Sequence, residues 1–183
     1  MISNQAQEGF EYVFRHGLKE SLSPLADDDC VLTVLPDLKE AQEPQVVILT
    51  ISSFLVRLIV LIHFAPDTAT KEHFARLNNK SLAEMDTRTF YDIISECGNL
   101  CCGVMNRDLL AVFPHMGLST PSILHKQCAA YVDILKCEHI KHIRVDINST
   151  VRFHATLCVS EHADLDFSVD IAAEESTGEL EMF

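Results

Sequence analysis

The chain has 183 residues, of which 48% are hydrophobic and 22% are charged, so it is long enough to bury a full core and too apolar for a disordered protein. Its net charge of −13, from 27 acidic against 14 basic residues, and the lack of a dense lysine and arginine cluster argue against nucleic acid as a partner. No apolar run is long enough for a bilayer and no signal-peptide pattern opens the chain, so we expect a cytoplasmic protein that does not bind a membrane.

The first half of the chain predicts two helices on either side of a β-hairpin. Residues 4–22 carry apolar side chains at spacings of three and four, which is the pattern of an amphipathic helix. Residues 30–35 form a short β-prone segment. The strongest strand candidates are 45–52 and 55–64, separated by only a few residues. A second helix begins near Pro66 and Asp67 and runs to about residue 77.

The second half predicts one long helix followed by strands. Asp86 or Thr87 can cap the third helix, which we expect to run to about Phe113 before a proline. Residues 118–124 contain Pro121 and predict an extended segment. Four later segments show β-branched or alternating patterns and predict strands: 128–135, 140–147, 151–159 and 165–171.

The order of these elements indicates an α+β fold, a two-layer α/β arrangement in which three helices pack on a largely antiparallel sheet. We expect a single domain over residues 1–173 and an acidic tail over 174–183. Long strands with β-branched edges, such as 151–159, could also pair across a two-fold axis, which leaves a structural homodimer component as one interpretation.

The seven cysteines are odd in number and include no pair with the C-x-x-C spacing. Cys97 and Cys101 lie on the apolar side of the third predicted helix, where a free cysteine behaves as a small hydrophobic residue. This usage favours reduced thiols and a reducing compartment over a disulfide framework.

The third predicted helix separates a polar stripe from an apolar stripe. At about 100° per residue, four residues fall within a window of roughly 60°: Asp92, Glu96, Asn99 and Gly103. The apolar residues on the other side are Phe90, Ile93, Ile94, Cys97, Leu100, Cys101, Val104 and Met105. A mid-helix glycine costs about 1 kcal/mol against alanine, so Gly103 suggests the close approach of another backbone or side chain. An ordinary solvated face, with a glycine that serves packing inside the fold, is the plainer interpretation.

The histidines predict no metal site. His139 and His142 follow Cys137 closely, but in a strand residues three apart point to opposite faces, and no fourth ligand has suitable spacing. His63 and His154 lie in predicted strands, where we expect them to have hydrogen-bond partners or to face solvent.

The sequence resembles the CheC/CheX/FliY family of chemotaxis phosphatases, most of all its single-site CheX branch. The resemblance rests on the pattern Asp92-x3-Glu96-x2-Asn99-x3-Gly103, within Ser-Glu-Cys-Gly-Asn-Leu-Cys-Cys-Gly, and on Leu-Ser-Thr-Pro-Ser-Ile-Leu at 118–124. The long first helix and the hairpin before the second helix agree with it, and the order of elements matches over about residues 8–172.

This resemblance implies an enzyme that hydrolyses the aspartyl-phosphate of a CheY-like receiver domain. Glu96 would anchor the receiver's lysine and Asn99 would orient the attacking water, so these two are the implied catalytic residues. Asp92 and Gly103 would belong to the partner-binding face. Mg²⁺ would sit on the receiver's own acids, so this chain would bind no cofactor, and relatives of this branch are homodimers.

The sequence departs from the family in three ways. The hairpin at 52–54 lacks the family's usual glycines, the role of Asp92 at a position where relatives carry a small polar or acidic residue is the least defined, and only one catalytic pair is present. The single pair argues against the two-site branch. A receiver-binding or scaffold protein without catalysis is the alternative, because signalling relatives can keep a docking helix and lose turnover.

Overall fold

The described part of the chain is built from three α-helices and seven strands. The computed structural model describes residues 1–169. The helices are α1 (Asn4–Leu22), α2 (Thr68–Leu77) and α3 (Thr87–Leu109). The strands are β1 (Cys30–Leu35), β2 (Gln45–Ser52), β3 (Val56–Phe64), β4 (Gly117–Leu118), β5 (Ser122–His125), β6 (His139–Ile147) and β7 (Val151–Glu161). The predicted acidic tail over 174–183 lies outside the described residues, as does the end of the predicted domain at 173.

Each α-helix begins at a side chain that caps it. Ser3 accepts a hydrogen bond from the Ala6 amide at 3.1 Å, and Asp67 caps α2 in the same way. Asp86, and not Thr87, caps α3 by accepting from the Thr89 amide at 2.8 Å. A cap of this kind is worth about 1 kcal/mol, because it satisfies an amide that the helix leaves unpaired.

The strands of the described residues form one antiparallel sheet in the order β1-β6-β7-β3-β2, and both β4 and β5 pair with the outer side of β2. The predicted hairpin is confirmed as β2 and β3, with Ser52 opposite Arg57. Its turn needs no glycine, since no residue of 53–55 has a left-handed φ and the Ser53 hydroxyl accepts from the Leu55 amide at 3.1 Å.

The main core lies between the helices and one face of the sheet. Alternate residues of the central strands point into it, as in Leu58, Val60 and Ile62 of β3, all of which are buried. Six large aromatic side chains from helices and strands fill it: Phe10, Phe14, Phe64, Phe74, Phe90 and Phe153. The α+β architecture with three helices on an antiparallel sheet is therefore confirmed.

The prediction of a strand at 128–135 is wrong, because Lys126–Leu135 forms a 3-10 segment. Its Ala129 and Val132, three residues apart, pack with Val46 and Leu61 on the sheet face opposite the helices. Side chains three apart align in a 3-10 helix, so packing on this second face overrides the strand propensity of the segment.

The prediction of a strand at 165–171 is also wrong for its described part. Leu165 makes only an isolated parallel bridge to Ile2, and residues 166–169 belong to no strand. Phe167 instead packs edge-on against Phe10 of α1, with ring centroids 4.9 Å apart. The alternation of apolar residues here reflects contact with the core and not strand pairing.

Two smaller predictions need correction. Helix α3 ends at Leu109, four residues before Phe113, and the chain then turns. Strand β7 lies inside the sheet between β6 and β3, so residues 151–159 cannot pair with a second copy. Among the described residues, the strand at that edge of the sheet is β1. The homodimer itself stays a prediction.

Candidate functional site

Helix α3 presents one face to solvent because its other side packs closely on α1 and on the sheet. A Cβ atom at Gly98 would lie 2.5 Å from Leu49 Cδ1 of β2. A Cβ atom at Gly17 of α1 would lie 2.8 Å from the carbonyl oxygen of Cys101. Gly17 therefore allows the backbones of α1 and α3 to approach more closely than alanine would permit, and Gly98 leaves room for the side chain of Leu49. These contacts fix the rotation of α3 and so determine which residues face outward.

Glu96 and Asn99 lie side by side on this outward face. Both are exposed, and Asn99 Nδ2 donates a hydrogen bond to Glu96 Oε2 at 3.1 Å. Asp92 lies one turn earlier with 76% of its side chain exposed, and its Oδ2 is 4.0 Å from Arg88 Nε. The structure thus brings the three polar candidates onto one accessible surface.

Gly103 completes this surface, and no described residue packs closely against it. A Cβ atom built there meets no atom of the described residues within 4 Å. Within residues 1–169 the plainer interpretation, that Gly103 permits close packing inside the fold, finds no support. Gly17 and Gly98 have that role.

Two residues of α3 depart from the predicted apolar stripe. Leu100 is predicted to lie in the stripe but is 52% exposed, and Cys102 is not predicted to lie in it but is fully buried. Leu100 lies nearer to the polar stripe than to the middle of the buried side, which explains its exposure. It borders a groove of about 470 Å³ between the end of α1, α2 and α3, lined in part by Glu20, Pro24, Leu77, Ile93, Glu96 and Leu100.

The chemical capacity of the surface is that of a carboxylate and an amide presented together. The amide can donate and accept hydrogen bonds without titrating, and the carboxylate can hold a cation. One helical turn separates them by about 4.5 Å along the axis. The pair can therefore position a small polar molecule next to a bound cationic group.

The cysteines of α3 have no place in this chemistry. None of the seven cysteines forms a disulfide bond. Burial raises the pKa of Cys97 and of Cys102 to about 12, and it raises the pKa of Cys101 as well. Their thiols therefore stay protonated and serve as core side chains, in agreement with the sequence analysis.

No group of three or more potential metal ligands comes together within residues 1–169. His142 Nδ1 lies 2.8 Å from Thr156 Oγ1, and His154 Nδ1 lies 2.7 Å from Glu43 Oε1. His154 thus has the expected hydrogen-bond partner. His63 does not, because it is buried and neither of its ring nitrogens has a partner among the described residues.

Comparison with known proteins identifies the fold through structure and not through sequence. No protein-family profile and no curated protein sequence matches the chain. Among solved structures, the CheX–CheY–BeF3–Mg²⁺ complex from Borrelia burgdorferi matches with a TM-score of 0.60 at 14% identity, over 84% of this chain and 97% of that one. CheX from Vibrio vulnificus gives 0.60 at 15% identity, over 82% and 99% of the two chains.

A CheC-like protein from Shewanella sp. PV-4 gives a TM-score of 0.58 at 13% identity, over 83% of this chain and 97% of that one. The chain therefore has the fold of the CheC-like and CheX proteins, as the resemblance in the sequence implies. No helix of residues 1–169 has the length and apolar character needed to cross a membrane.

Proposed function

We propose that this protein belongs to the CheX branch and hydrolyses the aspartyl-phosphate of a CheY-like receiver domain. The observation that carries the proposal is the exposure of Glu96 and Asn99 side by side on the outward face of α3. The fold supports it, because the similar Borrelia burgdorferi structure holds CheX together with CheY, BeF3 and Mg²⁺.

In this reaction Glu96 anchors the helix and Asn99 acts on the water. The carboxylate of Glu96 forms an ion pair with the lysine of the receiver's active site, which draws Asn99 into the phosphorylated pocket. The carboxamide of Asn99 then exchanges its hydrogen bond to Glu96 for one to the water. A water held in line with the phosphorus needs little further help, because catalysis of phosphoryl transfer is mainly positioning.

The hydrolysis forms no covalent bond to this chain. The water oxygen forms a bond to phosphorus while the bond from phosphorus to the aspartate oxygen breaks, which leaves a carboxylate on the receiver and inorganic phosphate. The proton of the water passes to the phosphate product or to solvent. Mg²⁺ would be held by the receiver's acids, where it neutralises charge on the phosphoryl oxygens.

Asp92 and Gly103 extend the contact along α3. Gly103 leaves space one turn beyond Asn99, where the receiver's backbone can lie against the helix. Asp92 adds a carboxylate one turn before Glu96 and holds Arg88 at 4.0 Å. With a net charge of −13, the chain gains little long-range attraction to an acidic receiver pocket, so affinity rests on these local contacts.

Binding without catalysis is the second candidate, and one observation favours it. The amide of Asn99 already donates to Glu96, so part of its hydrogen-bonding capacity is used inside the chain. A protein that never releases this bond would dock on a phosphorylated receiver and protect it.

The two candidates separate when binding and turnover are measured on the same variants. A purified CheY-like receiver is phosphorylated in the presence of Mg²⁺, and phosphate release is followed with and without this protein. Its binding is measured on the receiver carrying beryllofluoride, a stable mimic of the phosphoryl group. The phosphatase accelerates release, and Glu96→Ala weakens binding while Asn99→Ala removes turnover. Tight binding with no acceleration would establish the scaffold, and neither binding nor acceleration for any receiver would refute both.

A further inference from the structure

A second pocket, which we call the rear pocket, lies on the sheet face opposite the helices, beneath the 3-10 segment Lys126–Leu135. Its volume is about 560 Å³, which falls within the range of roughly 300–1,000 Å³ that small-molecule sites occupy. Its wall is largely apolar and includes Leu38, Val132 and Ile140. Because α3 packs on the other face, the rear pocket is separated from Glu96 and Asn99 by the whole sheet.

His63 of β3 lines the rear pocket and lacks a hydrogen-bond partner there. Its side chain is 3% exposed, and neither Nδ1 nor Nε2 has a partner among the described residues. Burial lowers its pKa to about 4, so at neutral pH the ring is neutral and offers one N–H donor and one acceptor. A buried polar group left unpaired is costly, so a partner in the pocket would stabilise it.

His154, the neighbour of His63 in the sheet, has the hydrogen-bond partner that His63 lacks. His154 is directly opposite His63 in the pairing of β3 with β7, and its Nδ1 lies 2.7 Å from the carboxylate of Glu43. The chain thus supplies a buried partner to one histidine of the pair. It leaves the ring of the other facing the rear pocket.

The charged residues that line the rear pocket are basic, in a protein whose net charge is −13. Lys39 and Lys126 line it, with His142 beside them, and none of the described lining residues is an aspartate or glutamate. Lys39 is ion-paired with Asp37, which lies outside the lining, with Nζ 2.6 Å from Oδ2, so Lys126 supplies the cation for a ligand. Lys126 and His142 are close enough to disfavour a positive charge on His63. The carboxylate of Glu43 also acts on His63, but it is bound to His154.

We infer that the rear pocket binds a small organic anion, with an apolar body and a single carboxylate or phosphate group. The anionic group accepts a hydrogen bond from the ring N–H of His63 and lies near the ammonium group of Lys126. The apolar body packs against Val132 and Ile140. This site goes beyond the proposed phosphatase and does not depend on it, because the two lie on opposite faces of the sheet.

The test uses three probes of matched chain length: octanoate, octyl phosphate and uncharged 1-octanol. Binding is measured by calorimetry and by the ring resonances of histidine in ¹⁵N-labelled protein, with those of His63 assigned through His63→Phe. We expect saturable binding of at least one anion with a shift of the His63 resonances, and binding of 1-octanol that is about tenfold weaker or worse. The anion that binds tells whether a carboxylate or a phosphate is preferred.

Variants decide whether the rear pocket is responsible. Lys126→Met should weaken anion binding about tenfold, whereas Lys19→Met, on an exposed position of α1, should leave it unchanged. Lys126 is only partly buried, so its variant remains informative if His63→Phe fails to fold. The inference is overturned if neither anion shifts the His63 resonances, if 1-octanol binds as tightly as the anions, or if Lys126→Met binds like the wild type.

Discussion

Replacing Gly103 by alanine should make the protein more stable and less active. Gly103 lies inside α3, and a Cβ atom there meets nothing within 4 Å among the described residues. Alanine is favoured over glycine in a helix interior by about 1 kcal/mol, and it also reduces the entropy of the unfolded chain. With no clash to offset this gain, Gly103→Ala should raise the free energy of unfolding by roughly 0.5–1 kcal/mol.

A gain of this size is measurable. For a protein of about this length it corresponds to a rise in melting temperature of about 2–4 °C per kcal/mol. Thermal and urea unfolding followed by circular dichroism would detect it. In the same preparation, phosphate release from a phosphorylated receiver should fall about tenfold, because the new methyl group stands where the partner's backbone must approach.

Gly17→Ala is the matched control. It makes the same substitution inside a helix, but here we expect the free energy of unfolding to fall. Its Cβ atom would lie 2.8 Å from the Cys101 carbonyl oxygen, which is backbone and cannot move aside. Overpacking costs about 1–3 kcal/mol, so the variant should lose stability. If Gly103→Ala also loses stability, the surface is not open as described. If it gains stability and keeps full activity, Gly103 does not face the receiver.

Three further predictions concern Glu96 on the outward face of α3, the buried His63, and the buried thiols of α3. Glu96→Ala should weaken binding to a beryllofluoride-loaded receiver about tenfold or more, measured by calorimetry; unchanged affinity would contradict the anchoring role. His63 has a folded pKa of about 4 against an unfolded value of 6.5, so the unfolded state binds more protons between these values and stability falls as pH falls through this window. Between about pH 6.5 and pH 4.5 this amounts to roughly 2 kcal/mol; urea unfolding of His63→Phe should show a weaker pH dependence, and an equal one would refute the assignment. Iodoacetamide at mildly alkaline pH should not alkylate the thiols of Cys97, Cys101 and Cys102 in the native protein, as measured by mass spectrometry. Rapid alkylation of these thiols would contradict the burial described.

Local patterns in the sequence were sufficient to predict the helices and the central hairpin. The apolar spacing of α1, the Asp86 cap of α3 and the alternation of β2 and β3 are properties of neighbouring residues, and the structure confirms each. The outward face of α3 was predictable for the same reason, because helical geometry alone groups Glu96 with Asn99.

The rest depended on contacts between segments distant in the sequence. The 3-10 segment Lys126–Leu135 forms because its apolar side chains cover the second face of the sheet, and a strand pattern cannot reveal that neighbour. His63 and His154 are buried on this same face. The alternation of residues along a strand puts them on that face but does not tell whether the face is covered or exposed to solvent. The position of β7 inside the sheet follows from pairing with β3, almost a hundred residues earlier.

If the carboxamide of Asn99 orients the attacking water, its removal should slow a single turnover of phosphate release. Phosphate release is measured from a phosphorylated, Mg²⁺-loaded receiver at saturating protein, for wild type, Asn99→Ala and Gln5→Ala. Gln5→Ala removes an exposed amide in the first turn of α1, about 24 Å along the helix from Ser21, whose carbonyl oxygen accepts from the Cys97 thiol of α3. We expect Gln5→Ala to match the wild type and Asn99→Ala to be slower by about a hundredfold or more. Equal rates for Asn99→Ala and wild type would contradict the claim.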